Sequence, residues 1–165
     1  MLFISCGFLF ATNFVYISQD IDNADMVLEK GTRVEVLKIS KNSLHVRLIA
    51  FINKKKELFF DKNFIFQLGE LKNDSLSSGT HEFTFELKKD KVSEDAFSIW
   101  EDYEEFYYEA CTQCHSAHET DEHTMLEWEG LFGAMVEQSQ IDKEVGVKVL
   151  RYLKSHAKDG FVILK

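Results

Sequence analysis

Cysteine is scarce in this sequence, and its few cysteines are unevenly placed. Only Cys6, Cys111 and Cys114 occur among 165 residues. Cys6 lies in an apolar N-terminal stretch and the other two lie in one short run, so no spare pair is left for a structural disulfide. A disulfide-stapled scaffold is therefore excluded. The chain is long enough for one domain or two small ones, and 45% of its residues are hydrophobic, which is typical of a folded globular protein.

Positive charge is scarce in the second half of the chain. Residues 93–165 contain 6 Lys and Arg against 16 Asp and Glu, whereas residues 20–92 contain 13 against 12. An acidic surface repels phosphate, which argues against nucleic acid as a partner and favours a positively charged protein surface. No catalytic triad, paired-carboxylate site or phosphate-binding loop is visible, so we do not expect an enzyme.

The second half does contain the run Cys111-Thr112-Gln113-Cys114-His115. This is the attachment sequence of a c-type haem, in which two thiols add across the haem vinyl groups and the adjacent histidine becomes an axial iron ligand. The run predicts one covalent haem c on Cys111 and Cys114, with His115 as the proximal iron ligand. Electron transfer is the expected function, because haem supplies the redox chemistry and the protein sets its potential.

The first 17 residues carry no charged side chain. Their length lies between the apolar core of a secretory leader and the roughly 20 residues that span a bilayer. They lack the basic start of an ordinary leader, so cleavage and membrane anchoring stay open alternatives. We expect residues 1–19 to be a signal or anchor segment. The protein would then be periplasmic, where covalent haem attachment takes place, and either soluble or anchored through residues 1–17.

Hydrophobic periodicity divides the remaining chain into two parts. Residues 20–92 show the period-two alternation of four or five short strands, which suits a small antiparallel β-barrel domain. Residues 93–165 show helical periodicity, with a first helix capped by Ser93, a second from about Thr124 and a third after Asp142. Helix, haem motif, loop and two helices are the minimal plan of a class I cytochrome c. The predicted fold class is α+β, a small barrel followed by a three-helix class I-like cytochrome c domain.

The motif does not identify the distal ligand of the iron. Met135 lies on the apolar stripe of the second helix and would give the His/Met pair that raises the reduction potential. His123 lies eight residues after His115 and would give two histidine ligands and a lower potential. We favour Met135 and keep His123 as the alternative.

Two other interpretations of the same region stay open. In the first, the protein is a sensor or assembly partner whose haem reports redox state or gas binding. In the second, a zinc-binding structural module uses Cys111, Cys114, His118 and His123, whose short spacings allow a tetrahedral site. Exported thiols and neighbouring aromatic helices favour a porphyrin over zinc.

From Cys111 to Asp159 the chain resembles the C-terminal haem domain of TorC-type cytochromes. The matching residues are the haem run, His123-Thr124, Trp128, Met135, Val149-Leu150-Arg151-Tyr152-Leu153 and His156-Ala157. The family places an SH3-like barrel before this domain. Gly31-Thr32-Arg33-Val34-Glu35-Val36-Leu37 and His45-Val46-Arg47-Leu48 resemble the first strands of that barrel.

The resemblance implies a periplasmic electron donor to a molybdopterin-containing reductase in anaerobic respiration. Such reductases act on trimethylamine N-oxide, dimethyl sulfoxide or related oxides, and the sequence does not select among them. The pentahaem members carry four further haem motifs in a membrane domain that oxidises quinol, whereas this chain has one motif. A separate quinol-linked cytochrome is therefore the expected donor, and the chain would be an accessory subunit.

Overall fold

A computed structural model describes residues 13–139 and 141–162. In this part of the chain nine strands precede three helices. The strands are β1 Phe14–Ile17, β2 Ile21–Asp22, β3 Met26–Leu28, β4 Arg33–Ile39, β5 Ser43–Ile52, β6 Glu57–Phe59, β7 Gln67–Leu71, β8 Gly79–Lys88 and β9 Val92–Ser93. The helices are α1 Phe97–Cys111, α2 Met125–Ser139 and α3 Lys143–Ser155.

The strands form one curled antiparallel sheet with β5 at its centre. The order is β2-β3-β7-β6-β5-β4-β1-β9, and β8 pairs with β5 along its full length, from Ser43 opposite Lys88 to Ile52 opposite Gly79. Alternate residues of β5 are buried, as period two requires of a strand with one face on the core. Among the described strands no pairing joins β2 to β9, so the sheet is an open half-barrel.

Local sequence signals explain where the second and third helices begin. At α2 the Glu127 carboxylate accepts from the Thr124 amide at 2.8 Å, and the Thr124 hydroxyl accepts from the Glu127 amide at 3.3 Å, which is a capping box. At α3 the Asp142 carboxylate accepts from the amides of Glu144 and Val145. Both predicted starts are confirmed.

The predicted start of the first helix is wrong by three residues. Ser93 belongs to β9, and α1 begins at Phe97, whose amide donates to the Asp95 carboxylate at 3.0 Å. The Ser93 hydroxyl instead accepts from the Asp95 amide at 3.1 Å, so it shapes the turn that precedes the helix.

Helix α3 is attached to the sheet by two long basic side chains. The Arg151 guanidinium donates to the carbonyl oxygens of Lys30 and Gln67, and the Lys154 ammonium donates to the carbonyl oxygen of Ile65. These three carbonyls belong to the segments that flank β3 and β7. Buried residues of the sheet and of all three helices form a single hydrophobic cluster. The helices therefore complete the core of the sheet.

This arrangement contradicts the predicted fold class. The sequence predicted a small antiparallel SH3-like barrel followed by a three-helix class I-like cytochrome c domain, and neither a separate barrel nor that helical domain is evident. The sheet stays open, and the side chains that dock α3 are directed at sheet carbonyls. Periodicity reports the type of each element, but it does not report which elements share a core.

Residues 1–12 of the predicted signal or anchor segment lie outside the described residues. Its later part contributes strand β1, which pairs with β4 and β9, and Val15 and Ile17 of this strand are buried in the core. Across residues 13–139 and 141–162, none of the helices combines the length and apolar character needed to span a bilayer.

Candidate functional site

The haem motif lies at the C-terminal end of α1. Cys111 is the last residue of the helix and is half-buried, whereas Cys114 and His115 are exposed in the loop that follows. Both cysteines are free thiols. Burial, with Cys114 as a neighbour, raises the pKa of the Cys111 thiol above its usual value. At neutral pH this thiol is therefore protonated.

The loop between α1 and α2 is held by three donors that come from different parts of the fold. The Tyr107 hydroxyl of α1 donates to the carbonyl of His118, and the Trp128 indole of α2 donates to the carbonyl of Thr120, each at 2.9 Å. The amide of Lys158, just beyond α3, donates to the carbonyl of His123, also at 2.9 Å. Three carbonyls within six residues are thus satisfied by the surrounding helices, which fixes the course of the loop.

Four aromatic rings pack together along this loop. The ring centres of His115 and His118 are 6.0 Å apart, those of His118 and His123 are 5.0 Å apart, and those of His123 and Trp128 are 4.9 Å apart. Each neighbouring pair meets edge to face, the arrangement that ring quadrupoles favour. The structure therefore brings the proximal candidate, His115, and the alternative distal candidate, His123, into one cluster.

The ring nitrogens of these histidines have different partners. The Nδ1 atom of His115 lies 2.7 Å from the carbonyl oxygen of Ser116, and the Nδ1 atom of His118 lies 2.9 Å from a carboxylate oxygen of Glu122. The Nε2 atom of His123 is buried and has no hydrogen-bond partner. Among the described residues this is one of two buried side-chain nitrogens of that kind, the other being the Trp100 indole nitrogen.

Met135, the favoured distal candidate, lies elsewhere. It is half-buried on α2, ten residues after Met125, which is the first residue of that helix. At 1.5 Å per residue this is about 15 Å along the axis. The Met135 side chain packs against the hydrophobic core. The structure does not place it in the ring cluster.

A set of potential metal ligands also lies in this loop. One ligand atom each of His118, Glu122 and His123 lies within 4.8 Å of the others. The zinc set expected from the sequence combined His118 and His123 with Cys111 and Cys114, and the group found among the described residues contains neither cysteine.

Negative charge surrounds the site. Ten Asp and Glu and no Lys or Arg lie between Glu101 and Glu129. We call the acidic surface the seven exposed carboxylates on α1 and its following loop, namely Glu101, Asp102, Glu105, Glu109, Glu119, Asp121 and Glu122. Burial and the neighbouring Glu119 raise the pKa of Tyr108, which lies next to this surface, to about 12.

Sequence reasoning missed the residues that support the site. Tyr107 and Trp128 are both buried, and each also donates to a loop carbonyl. Glu122 was counted only as negative charge, although it orients His118. The available signal was the residue type, because the polar atom of a buried Tyr or Trp requires a hydrogen-bond partner. The sequence could not show which carbonyl would supply it.

A cleft of about 720 Å³ lies elsewhere, and Val15, Leu44 and Val92 are among its lining residues. Within residues 13–139 and 141–162, no cysteine or histidine lines this cleft, so it is not part of the site.

The residues of the site fit a c-type haem in their chemistry. Two free thiols lie three residues apart, an exposed imidazole follows the second, and a buried imidazole nitrogen without a partner lies in the same ring cluster. Comparisons with protein-family models, curated proteins and solved structures gave no match.

Proposed function

We propose that this chain is a periplasmic monohaem c-type cytochrome, an electron-transfer subunit that serves a molybdopterin-containing reductase. The observation that carries the proposal is the placement of Cys111, Cys114 and His115. Two unpaired thiols and an exposed imidazole follow one another at a helix end, accessible from solvent. Covalent haem attachment uses all three of these groups in this order.

The residues of the motif have distinct roles in this proposal. Each thiol adds its sulfur and its hydrogen across one vinyl double bond, so the two thioether bonds require neither an oxidant nor a leaving group. His115 binds iron through Nε2, because its Nδ1 atom faces the carbonyl of Ser116 and is held there as the protonated nitrogen. The bound haem supplies a reversible one-electron change of iron.

The electron balance requires a donor and an acceptor. A quinol-linked cytochrome gives one electron to the protein, and the protein gives one electron to the reductase. Two such transfers complete the two-electron reduction of an N-oxide or S-oxide. The resemblance to TorC-type cytochromes supports these partners. The acidic surface supports an acceptor whose docking face is positively charged, since opposite charges accelerate encounter at low ionic strength.

Expression with the c-type haem maturation machinery tests the proposal. We expect a sharp reduced α-band that survives acid–acetone extraction, at one haem per chain. The double variant Cys111→Ala/Cys114→Ala should lose it, and Gln113→Ala, a matched change within the motif, should keep it. The reduced protein should then be reoxidised by a molybdopterin N-oxide reductase with its substrate, more slowly as salt is added.

The outcomes separate the parts of the proposal. Absence of covalent haem from the matured wild type would refute the cytochrome function. Covalent haem without reoxidation by any reductase of this class would refute the partner alone.

Binding of a divalent transition metal is the second candidate function. The observation in its favour is the group His118, Glu122 and His123, whose ligand atoms lie within 4.8 Å of one another. Imidazole and carboxylate ligands suit zinc. Stoichiometric zinc in the purified protein, lost in His118→Ala and accompanied by no haem spectrum, would favour this function over the cytochrome.

A further inference from the structure

We infer that His123 is the second axial ligand of the haem iron, and that Met135 is not. The inference rests on the proposed function and deepens it, because the second ligand decides whether the site operates at a low or a high potential.

The first argument is the unpaired nitrogen. The Nε2 atom of His123 is buried and has no hydrogen-bond partner. Burying such a nitrogen costs free energy unless a donor, an acceptor or a metal satisfies it. Iron is a suitable partner, since the Nε2 atom of a neutral imidazole is a common metal ligand.

The second argument is the position of the ring. The His123 imidazole packs against the rings of His118 and Trp128, at centre distances of 5.0 Å and 4.9 Å, and these two rings also contact each other at 6.4 Å. Its carbonyl accepts from the Lys158 amide at 2.9 Å, and the capping box of Thr124 and Glu127 follows directly. Both the backbone and the ring are therefore held in place. A ligand that is held before it binds loses little conformational entropy on binding.

The third argument is that His115 and His123 belong to the same cluster. The ring of His118 contacts both of them, at 6.0 Å and 5.0 Å, and the Glu122 carboxylate holds the Nδ1 atom of His118 at 2.9 Å. His118 therefore acts as a positioning residue for its two neighbours. The two proposed ligands lie on the single loop that the three donors fix.

The Met135 side chain packs in the core and lies outside the ring cluster. Its side chain packs against the core from the last turns of α2. The next residue, Val136, packs on the first turns of α3, where a methyl group added to Gly146 would lie 3.4 Å from the Val136 side chain. This end of α2 forms the contact with α3. The thioether of Met135 thus has a packing role that needs no metal.

Spectroscopy of the haem-loaded protein tests the inference. With two histidine ligands the oxidised wild type should be low-spin and should lack the near-infrared sulfur-to-iron band. Met135→Leu, which preserves volume, should change neither the spectrum nor the reduction potential. His123→Ala should become high-spin and, when reduced, bind carbon monoxide. His123→Met should introduce the sulfur band and raise the potential.

The wild type and Met135→Leu decide the question even if His123→Ala fails to fold. A sulfur-to-iron band in the wild type that disappears in Met135→Leu would overturn the inference and leave the cytochrome function intact. Absence of any covalent haem would overturn both. A potential that is unchanged in Met135→Leu and raised in His123→Met is the result we expect.

Discussion

Replacing Arg151 with alanine tests whether the helices and the sheet form one folding unit. The guanidinium donates to the carbonyls of Lys30, at 3.1 Å, and Gln67, and lies 3.0 Å from a carboxylate oxygen of Glu29 and 4.6 Å from the ring centre of Phe66. Its removal leaves two carbonyls at the docking surface without their donor, each costing about 1–3 kcal/mol. It also breaks the ion pair with Glu29, whose side chain is 40% exposed, so this pair adds little. The two carbonyls left without a donor should therefore lower the free energy of unfolding by about 3–5 kcal/mol.

Urea unfolding measures this loss, with tryptophan fluorescence reporting α1 and α2 and amide exchange reporting β5. With an m-value of about 2 kcal/mol/M, the midpoint should fall by about 2 M while the two probes keep one common transition. Lys148→Ala is the matched control on α3, since the ion pair of Lys148 with Glu144 is exposed and contributes little to stability. A loss below about 1 kcal/mol for Arg151→Ala, or a sheet that unfolds separately from the helices, would refute the reasoning.

Two further predictions concern the core beneath the site. Gly31 has φ of 84°, and a methyl group placed there would lie 2.2 Å from the Trp100 ring. Gly31→Ala should therefore lower the melting temperature. Gly133 lies in open space on α2, so Gly133→Ala should raise the melting temperature slightly. Burial lowers the pKa of His156 below its ordinary 6.5, so the unfolded chain binds a proton more readily than the folded one. Stability should therefore fall as the pH drops below about 6.5, and less steeply in His156→Asn. Equal slopes in urea titrations of the two proteins would contradict this assignment.

Elements specified by neighbouring residues could be predicted from the sequence. Thr124 with Glu127, and Asp142 before Glu144, supply the caps of α2 and α3, because capping requires only residues within one turn. The alternation of Leu44, Val46 and Leu48 likewise identifies a strand of the sheet. Such signals depend on the hydrophobic period and on local hydrogen bonds, and both are set by residues that are close in sequence.

Contacts between distant residues could not be predicted in this way. Arg151 lies on a helix whose charged residues mostly face solvent. Nothing in the sequence around it shows that it donates to the carbonyls of Lys30 and Gln67, which are 121 and 84 positions away. The uncharged first 17 residues, which include Val15 and Ile17, suited a leader, although these two residues alternate with less buried neighbours in β1. The prediction of a closed barrel failed for the same reason. Strand type is local, but closure depends on which strands pair.

The candidate site likewise has one part that neighbouring residues specify and one part that depends on distant contacts. Cys111, Cys114 and His115 lie within one run of five residues, so their spacing alone leads to the prediction of covalent haem attachment. The choice between Met135 and His123 depends on which side chain the fold brings to the ring cluster. The position of Met135 on the apolar stripe of the second helix favoured this residue as the ligand. The unpaired nitrogen of His123 can be recognised only when its burial and its hydrogen-bond partners are known.

The loop that carries His118 and His123 owes its shape to the whole fold. Its carbonyls are bound by Tyr107 of α1, by Trp128 of α2 and by the amide of Lys158 beyond α3. Since α3 is itself docked on the sheet through Arg151, the position of His123 depends on contacts made far from the motif. Ligand placement and global stability are therefore coupled. Iron held by two histidines would stabilise the docked arrangement of the helices, because a ligand that binds only the folded state shifts the folding equilibrium toward it.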